Sequence, residues 1–272
     1  MKFQQGLSNT TILKNKIVIQ KINHDNDLFL NRINLIKILS FLNTTNFKFC
    51  LKQKINFQNS NLIIVTKYLK NTHFLTKNNL NKQTIQKIAK AVKKLHTISF
   101  KGFIKYNWKT NLTDFKKNSL KFLKPLQNKE QKIKILLKNY APKNFVLCHN
   151  DLVINNILLK KKQIFLIDYE FACLNDYLFD IASFISETIT FLITNKKQKQ
   201  DLIFYWIKQF KLSKSKIKMV YKLVVFQNLL NCYWANFMFF KTKQNIFKTI
   251  FEFKYQKLEN QINSISTNNY EW

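Results

Sequence analysis

The first part of the chain alternates short apolar runs with polar turns, a pattern that is typical of β-strands. Two β-rich runs within residues 11–22 lie on either side of a polar turn at residues 14–16, which predicts a hairpin. Apolar residues then recur at helical spacing over residues 28–43, and short strands are expected near residues 46–52 and 61–66. These elements predict a small β-rich region that carries one helix.

The remainder of the chain is expected to be mostly helical, from a helix that ends near His96 to about residue 260. One stretch interrupts this pattern. A short apolar strand at residues 145–148 leads into a polar loop at residues 149–156, and a hairpin with its turn at residues 160–163 follows. A β lobe, a helical lobe and a polar loop carried by a hairpin predict a cleft between the two lobes.

The composition is typical of a globular chain with a sizeable core, because 46 % of the 272 residues are hydrophobic. The sequence has no apolar run of the length needed for a membrane span, and residues 1–6 lack the apolar stretch of a signal peptide. Four widely spaced cysteines fit reduced thiols. We therefore expect a soluble, cytoplasmic protein.

The net charge is +32, and 45 of the 46 basic residues are lysine. Specific nucleic-acid recognition favours arginine, so we do not expect a specific nucleic-acid partner. Lys, Asn, Ile and Phe are over-used together, which indicates AT-rich coding DNA as the origin of the charge. Weak adhesion to polyanions and to anionic membrane surfaces is still expected.

The acidic residues are few, but they are clustered in one part of the chain. Six of the 14 lie within residues 151–187, namely Asp151, Asp168, Glu170, Asp176, Asp180 and Glu187. Clustered carboxylates repel one another unless cations or hydrogen-bond donors hold them, so the cluster predicts a cation site. Helix capping is the alternative for Asp180, and a chance surface position is the alternative for Asp176.

The polar loop has the His-Asn-Asp-Leu-x-x-x-Asn spacing of a kinase catalytic loop, with His149, Asp151 and Asn156 at the defining positions. Phosphoryl transfer needs a carboxylate that orients the acceptor hydroxyl and takes its proton, and it needs oxygen ligands for Mg²⁺. Asp151 suits the first role. Asn156 and Asp168, which follows the hairpin, suit the second, and His149 is expected to orient the loop.

With the LIDYE sequence at residues 166–170 and FDIA at residues 179–182, this loop resembles the choline/ethanolamine kinase family, within the aminoglycoside-phosphotransferase-like kinases. The resemblance covers nearly the whole chain. It implies an α+β, protein-kinase-like two-lobed fold, with a small β-rich N-terminal lobe (1–69, hinge near 66–69) and a larger, mainly helical C-terminal lobe (70–272). It also implies ATP and Mg²⁺ as cofactors and a small amino alcohol, most readily choline or ethanolamine, as substrate.

The same resemblance implies a set of nucleotide-binding residues: Ser8, Asn9, Lys21, Thr66, Tyr68 and Leu69. The first two belong to a segment similar to the family's phosphate-covering loop, and the last three belong to the hinge beside the adenine. Lys21 corresponds to the family's phosphate-binding base. Because lysine is so abundant in this chain, a chance lysine at position 21 is the open alternative.

The residues implied for the acceptor pocket are Glu170, Phe171, Glu187, Trp234 and Phe237. Trp234 and Phe237 resemble the aromatic pair that encloses a trimethylammonium group in the family, and cation–π contact with such a group is worth about 2 kcal/mol when it is desolvated. Glu187 could supply a carboxylate. Core packing is the alternative for Phe171 and Phe237, because the chain has 26 phenylalanines.

Three positions depart from the family pattern. Leu35 stands where the family has a helix glutamate that pairs with the phosphate-binding base, which predicts reduced activity or another way of holding that base. Only Gly6 remains in the phosphate loop, and Asn155 replaces a small residue. Two other functions are the alternatives to a choline or ethanolamine kinase. One is a kinase for another alcohol, such as thiamine or an aminoglycoside, and the other is a degenerate kinase fold that binds nucleic acid through its lysines.

Overall fold

The computed structural model describes residues 2–5, 10–22, 31–45, 47–99, 101–117, 123–142 and 145–266. The chain divides into two compact units. Met1–Lys105 and Val146–Asn175 form the first, which we call the sheet unit, and Tyr106–Phe145 and Asp176–Trp272 form the second, which we call the helical unit. The predicted lobe boundary at the hinge near residues 66–69 stays a prediction.

The main sheet of the sheet unit is antiparallel, with the strand order β1-β2-β3-β5-β4. Its strands are β1 (Lys2–Gln5), β2 (Thr10–Lys14), β3 (Ile17–Ile22), β4 (Gln53–Gln58) and β5 (Asn61–Lys67). The predicted hairpin is confirmed, because β2 and β3 pair through a two-residue turn. Asn15 and Lys16 adopt positive φ angles of 48° and 63° there, as a tight hairpin turn requires.

The strand expected near residues 46–52 is wrong in position. Residues 47–52 form turns and one isolated bridge, from Cys50 to Leu166, and the strand begins only at Gln53. A second tight turn at Asn59 and Ser60, both with positive φ, sets the register of β4 on β5. The apolar character of the expected strand reflects burial of Phe47 rather than sheet pairing.

Two helices of the sheet unit, α1 (Arg32–Thr44) and α2 (Lys82–His96), confirm the helical periodicity of the sequence. Each begins at an asparagine N-cap: the side chain of Asn31 accepts from the amide of Asn34, and that of Asn81 accepts from the amide of Thr84. Leu35 is among the buried residues of α1. The part of the predicted first helix before residue 31 lies outside the described residues.

A second, three-stranded sheet carries the polar loop, with the order β6-β8-β9. It consists of β6 (His73–Phe74), β8 (Ile157–Lys160) and β9 (Gln163–Leu166), while β7 (Phe145–Cys148) pairs with β10 (Cys173–Asp176). The predicted strand before the loop and the hairpin after it are confirmed. β6 and β10 are too short and too polar for the sequence pattern to predict them.

The helices of the helical unit are α3 (Trp108–Lys117), α4 (Leu123–Leu136), α5 (Leu178–Ser183), α6 (Thr190–Leu192), α7 (Lys196–Lys208), α8 (Lys214–Thr242) and α9 (Asn245–Ser266). A π-helical segment, Phe184–Ile189, joins α5 to α6. The core includes Trp206, whose indole N–H donates to the carbonyl of Ile181 over 3.0 Å. None of the helices in the described ranges has the length and apolar composition to span a bilayer. The two units together confirm the α+β class.

Candidate active site

The β8–β9 hairpin brings the two ends of the polar loop together. Its register pairs Ile157 with Leu166, so the residues just outside it, Asn156 and Ile167, are neighbours. The amide of Ile167 donates to the carbonyl of Asn156 over 3.0 Å. Because Asp168 follows directly, a purely local element brings the predicted metal ligands Asn156 and Asp168 to the same end of the hairpin.

Asn156 also orients the predicted catalytic base. Its amide nitrogen Nδ2 donates to the Asp151 carboxylate oxygen Oδ2 over 2.8 Å and to the Asp151 carbonyl over 3.0 Å. With Nδ2 turned towards Asp151, the atom of the Asn156 side chain that is left to bind a cation is the amide oxygen. The short 3-10 turn Ile154–Asn156 bends the chain back, so that the side chain of Asn156 reaches Asp151.

Asp168 lies at a strained point of the backbone, with a φ of 62°. Its oxygen Oδ1 accepts a hydrogen bond of 3.1 Å from Nε2 of Gln20 on β3. Desolvation raises the pKa of the Asp168 carboxyl above its ordinary value, and the hydrogen bond from Gln20 and the nearby His149 lower it by less.

The ligand chemistry of this pair fits Mg²⁺. A carboxylate and an amide oxygen are hard ligands, and Mg²⁺ takes few ligands from protein while phosphate oxygens and water complete its shell. A cation beside Asp168 would favour the charged form of a carboxylate that its surroundings alone disfavour. The assignment of Asn156 and Asp168 to the metal remains a proposal.

His149 is fully buried and has an orienting contact, as the sequence predicts. Its Nε2 lies 2.9 Å from the carbonyl oxygen of Ile167. A carbonyl can only accept, so Nε2 carries the hydrogen and donates. The imidazole also packs against the ring of Tyr169, with 4.9 Å between centroids. His149 therefore joins the start of the loop to the residue that precedes Asp168.

Asn150 is a positioning residue that sequence reasoning missed. It adopts a φ of 62°, a conformation that asparagine tolerates better than most residues. Its Nδ2 donates to the carbonyl of Phe171 over 3.0 Å, and its Oδ1 accepts from Asn175 over 2.7 Å. These bonds fix the segment in which Glu170 is buried and Phe171 is half-buried. The signal that could have found Asn150 is its position directly before the predicted catalytic base, Asp151.

The residues expected to bind the phosphates of the nucleotide differ in what the structure shows of them. Ser8 and Asn9 lie outside the described residues. Lys21 is exposed, and because neighbouring residues of a strand face opposite sides, it points away from the face on which Gln20 reaches Asp168. The role of Lys21 as the phosphate-binding base stays a prediction, and the residue of β3 that reaches Asp168 is Gln20.

The predicted hinge lies at the end of β5. Thr66 is within this strand and pairs with Val18 on one side and Gln53 on the other. The amide of Tyr68 donates to the carbonyl of Lys16, and the carbonyl of Leu69 accepts from Thr72. These backbone groups already have partners within the protein, and adenine binding at residues 66–69 stays a prediction.

The carboxylate of Glu187, in the helical unit, forms an ion pair with the side chain of Lys254. The ammonium Nζ of Lys254 lies 2.7 Å and 2.6 Å from its two carboxylate oxygens, and Ser186 and Asn231 donate to the same carboxylate over 2.6 Å and 2.7 Å. Glu187 belongs to the π-helical segment, a distortion that frequently marks functional sites. The sequence gives no signal for Lys254, because it lies 67 positions away.

The two aromatic residues expected to form a cation cage differ in exposure. Trp234 on α8 is half-buried and packs edge-on against Phe247, with 5.6 Å between centroids. Phe237 is buried and packs against Phe115 at 6.0 Å. Trp234 therefore keeps surface for a ligand, while Phe237 has the surroundings of a core residue, which was its alternative interpretation.

Comparison with known proteins gives the same family as the motifs. The family described as choline/ethanolamine kinase matches residues 3–262. Protein LicA of Haemophilus influenzae is 31 % identical over 136 residues, which cover 45 % of this chain and 38 % of that protein. A second LicA, from strain KW20, is matched over 49 % of its length. The chain thus matches less than half of the length of these curated relatives.

Solved structures resemble the chain over almost all of its length. The choline kinase LicA from Streptococcus pneumoniae is similar with a TM-score of 0.75 and 16 % identity, over 94 % of this chain and 90 % of that one. The Plasmodium vivax ethanolamine kinase is similar with a TM-score of 0.70 and 18 % identity, over 94 % and 81 %. At such identities the likeness shows the fold, and the predicted protein-kinase-like fold is confirmed.

Proposed function

Since the chain belongs to the choline/ethanolamine kinase family, we propose that it transfers the terminal phosphoryl group of ATP to the hydroxyl of a small amino alcohol. The observation that carries the proposal is the grouping of Asp151, Asn156 and Asp168 around one hairpin, with Asn156 hydrogen-bonded to Asp151. This is the set of groups that phosphoryl transfer to an alcohol requires: a base, and oxygen ligands for a metal.

In the proposed mechanism, the Asp151 carboxylate accepts a hydrogen bond from the acceptor hydroxyl and takes its proton as the new O–P bond forms. The bond between the γ-phosphorus and the bridging oxygen of ATP breaks, and ADP leaves. The bond from Asn156 holds this carboxylate in one orientation, so that little reorganisation is needed in the transition state. Asn156 and Asp168 would hold Mg²⁺, which neutralises charge on the phosphates when it is bound. His149 holds Ile167, and with it the backbone that leads to Asp168.

Choline and ethanolamine are the acceptors that we propose first. Support comes from the family, and from two relatives of the same fold that are named a choline kinase and an ethanolamine kinase. The partly exposed face of Trp234 is suited to a cationic head group. Because Lys254 already neutralises Glu187, we assign recognition of the substrate's cation to Trp234 before Glu187.

A cytoplasmic location and the two-lobed division at residues 66–69 belong to the same proposal. ATP is the abundant phosphoryl donor of that compartment, and the four cysteines are free thiols, which is the state that a reducing compartment maintains. The lysine-rich surface is proposed to adhere weakly to polyanions and not to select a nucleic-acid sequence.

A panel of alcohols with radiolabelled ATP tests the proposal. We expect labelled phosphocholine or phosphoethanolamine to form in the presence of Mg²⁺, and the Asp151→Asn variant to form neither. Product from thiamine or an aminoglycoside alone would keep the reaction class and overturn the proposed acceptor. A pure, folded protein that labels no alcohol and gains no thermal stability from Mg²⁺-ATP would overturn the function itself.

A further inference from the structure

The side chain that reaches the metal-site carboxylate from β3 is neutral. Nε2 of Gln20 donates to Oδ1 of Asp168 over 3.1 Å and joins residues 148 positions apart in the sequence. Lys21, the next residue, is exposed on the other side of the strand. The cation that kinases commonly place on this strand is therefore absent from the position beside Asp168.

The position on α1 that would pair with such a cation is also uncharged. In kinases the lysine of this strand forms an ion pair with a glutamate of the following helix. The corresponding residue here is Leu35, which is 2 % exposed and packs in the core. The helix is fixed instead by its neighbour Asn34, which donates to the carbonyl of Ala172 over 2.8 Å and accepts from the amide of Ile104 over 3.0 Å.

The two changes are physically consistent with each other. An ammonium at position 20 would have no carboxylate on α1 to pair with, because that helix contains no acidic residue, and it would lie within reach of Asp168. It would then compete with Mg²⁺ for the same oxygen atoms. A glutamine amide can fix the orientation of Asp168 with one hydrogen bond, while the negative charge of Asp168 is left for the metal.

We propose that Gln20 is a positioning residue that orients Asp168 for the Mg²⁺-nucleotide complex, in the place of the family's phosphate-binding cation. The inference rests on the proposed kinase function. It implies that the metal, and not a base on β3, meets the phosphate charge on this side of the site. It also explains why Leu35 is tolerated, since a neutral residue at position 20 needs no glutamate on α1.

The test compares three variants by thermal melting with a non-hydrolysable ATP analogue over a range of Mg²⁺ concentrations. Gln20→Met keeps the volume of the side chain and removes its donor, Gln20→Lys restores the cation, and Lys14→Gln, at an exposed position of the neighbouring strand β2, is the control. We expect Gln20→Met to need roughly tenfold more Mg²⁺ for half of the thermal shift, as is usual when a residue behind a metal ligand is lost. Its melting temperature without ligand should stay near that of the wild type.

Gln20→Lys should need at least as much Mg²⁺ as Gln20→Met, because its ammonium competes for Asp168, and Lys14→Gln should behave as the wild type. Tighter nucleotide binding by Gln20→Lys would overturn the inference, as would a wild-type Mg²⁺ requirement in Gln20→Met. If Gln20→Met loses stability without ligand, the smaller change Gln20→Asn, which keeps the donor but shortens its reach, must show the same Mg²⁺ effect or the inference fails. A wild-type protein without any Mg²⁺-nucleotide shift would instead overturn the proposed function on which the inference rests.

Discussion

At the scale of single residues, the proposed chemistry depends on the carboxylate of Asp151. Asp151→Asn keeps the shape of the side chain but removes its ability to take a proton, so we expect kcat to fall by at least about a hundredfold. The thermal shift with Mg²⁺-nucleotide should remain. Asp201→Asn, an equivalent change at an exposed position of α7, is the control and should leave kcat unchanged. A kcat near the wild-type value in Asp151→Asn would remove the residue from its role.

Trp234 is the residue to which we assign recognition of the proposed acceptor. If it forms one wall of a cation site, Trp234→Ala should raise KM for choline roughly tenfold, because the lost contact is worth about 1–2 kcal/mol. KM for ATP should barely change, and Trp234→Phe should give an intermediate value. If Trp234 serves only to pack against Phe247, truncation lowers stability by about 3–5 kcal/mol and affects both substrates. Thermal melts and kinetics on the same variant separate the two outcomes.

The residues of the candidate site differ in how far the sequence could predict them. Asp151, Asn156 and Asp168 belong to one loop and one hairpin, so spacing and strand pattern are enough to bring them together. Gln20 could not be predicted, because only the register of the sheet decides whether residue 20 or 21 faces Asp168. Lys254 could not be predicted either, since its contact with Glu187 depends on the packing of distant helices.

At the scale of elements, three helices of the helical unit meet at one buried carboxylate. Glu130 of α4 pairs with Lys134 one turn along and with Lys116 of α3, and it accepts a hydrogen bond of 2.7 Å from Tyr233 of α8. Burial acts to raise the pKa of Glu130, but the bonds from the two lysines and Tyr233 outweigh it, so the pKa is lower than usual. The carboxylate thus stabilises the folded state when it is charged.

Glu130→Gln should therefore lower the free energy of unfolding by about 1–3 kcal/mol at pH 7, since it removes the charge of a buried carboxylate that accepts from two partly exposed lysines and from Tyr233. The folded-state pKa lies below the unfolded-state value, so the stabilisation exists above the unfolded-state pKa and is lost as the pH falls through the folded-state one. The difference in the free energy of unfolding between variant and wild type, measured by urea unfolding, should become smaller in acid. Glu259→Gln, which breaks an exposed pair with Lys129, should cost at most about 1 kcal/mol. Equal losses in both variants would contradict this role.

The elements themselves could be predicted where local chemistry determines them. Two turns with positive φ angles and two asparagine N-caps fix the β2–β3 hairpin, the β8–β9 hairpin, α1 and α2. The misplaced strand near residues 46–52 shows the limit of this approach. An apolar run can be buried either as an irregular segment or as a strand. Which of the two forms depends on which partner strand has a free edge, and that is a property of the assembled sheet.

At the scale of the whole molecule, the +32 charge and the proposed site predict two binding behaviours that can be separated. Adhesion of an oligonucleotide to lysines is driven by counterion release, so it should weaken steeply between about 50 and 300 mM salt and show no sequence preference. A specific Mg²⁺-nucleotide complex should still raise the melting temperature at the higher salt, because binding to the folded state stabilises it by about 2.7 kcal/mol at a hundred times Kd. Asp168→Ala should abolish the nucleotide shift and leave oligonucleotide binding unchanged. Salt-resistant, sequence-selective oligonucleotide binding without a nucleotide shift would contradict the kinase proposal and favour a degenerate fold that binds nucleic acid.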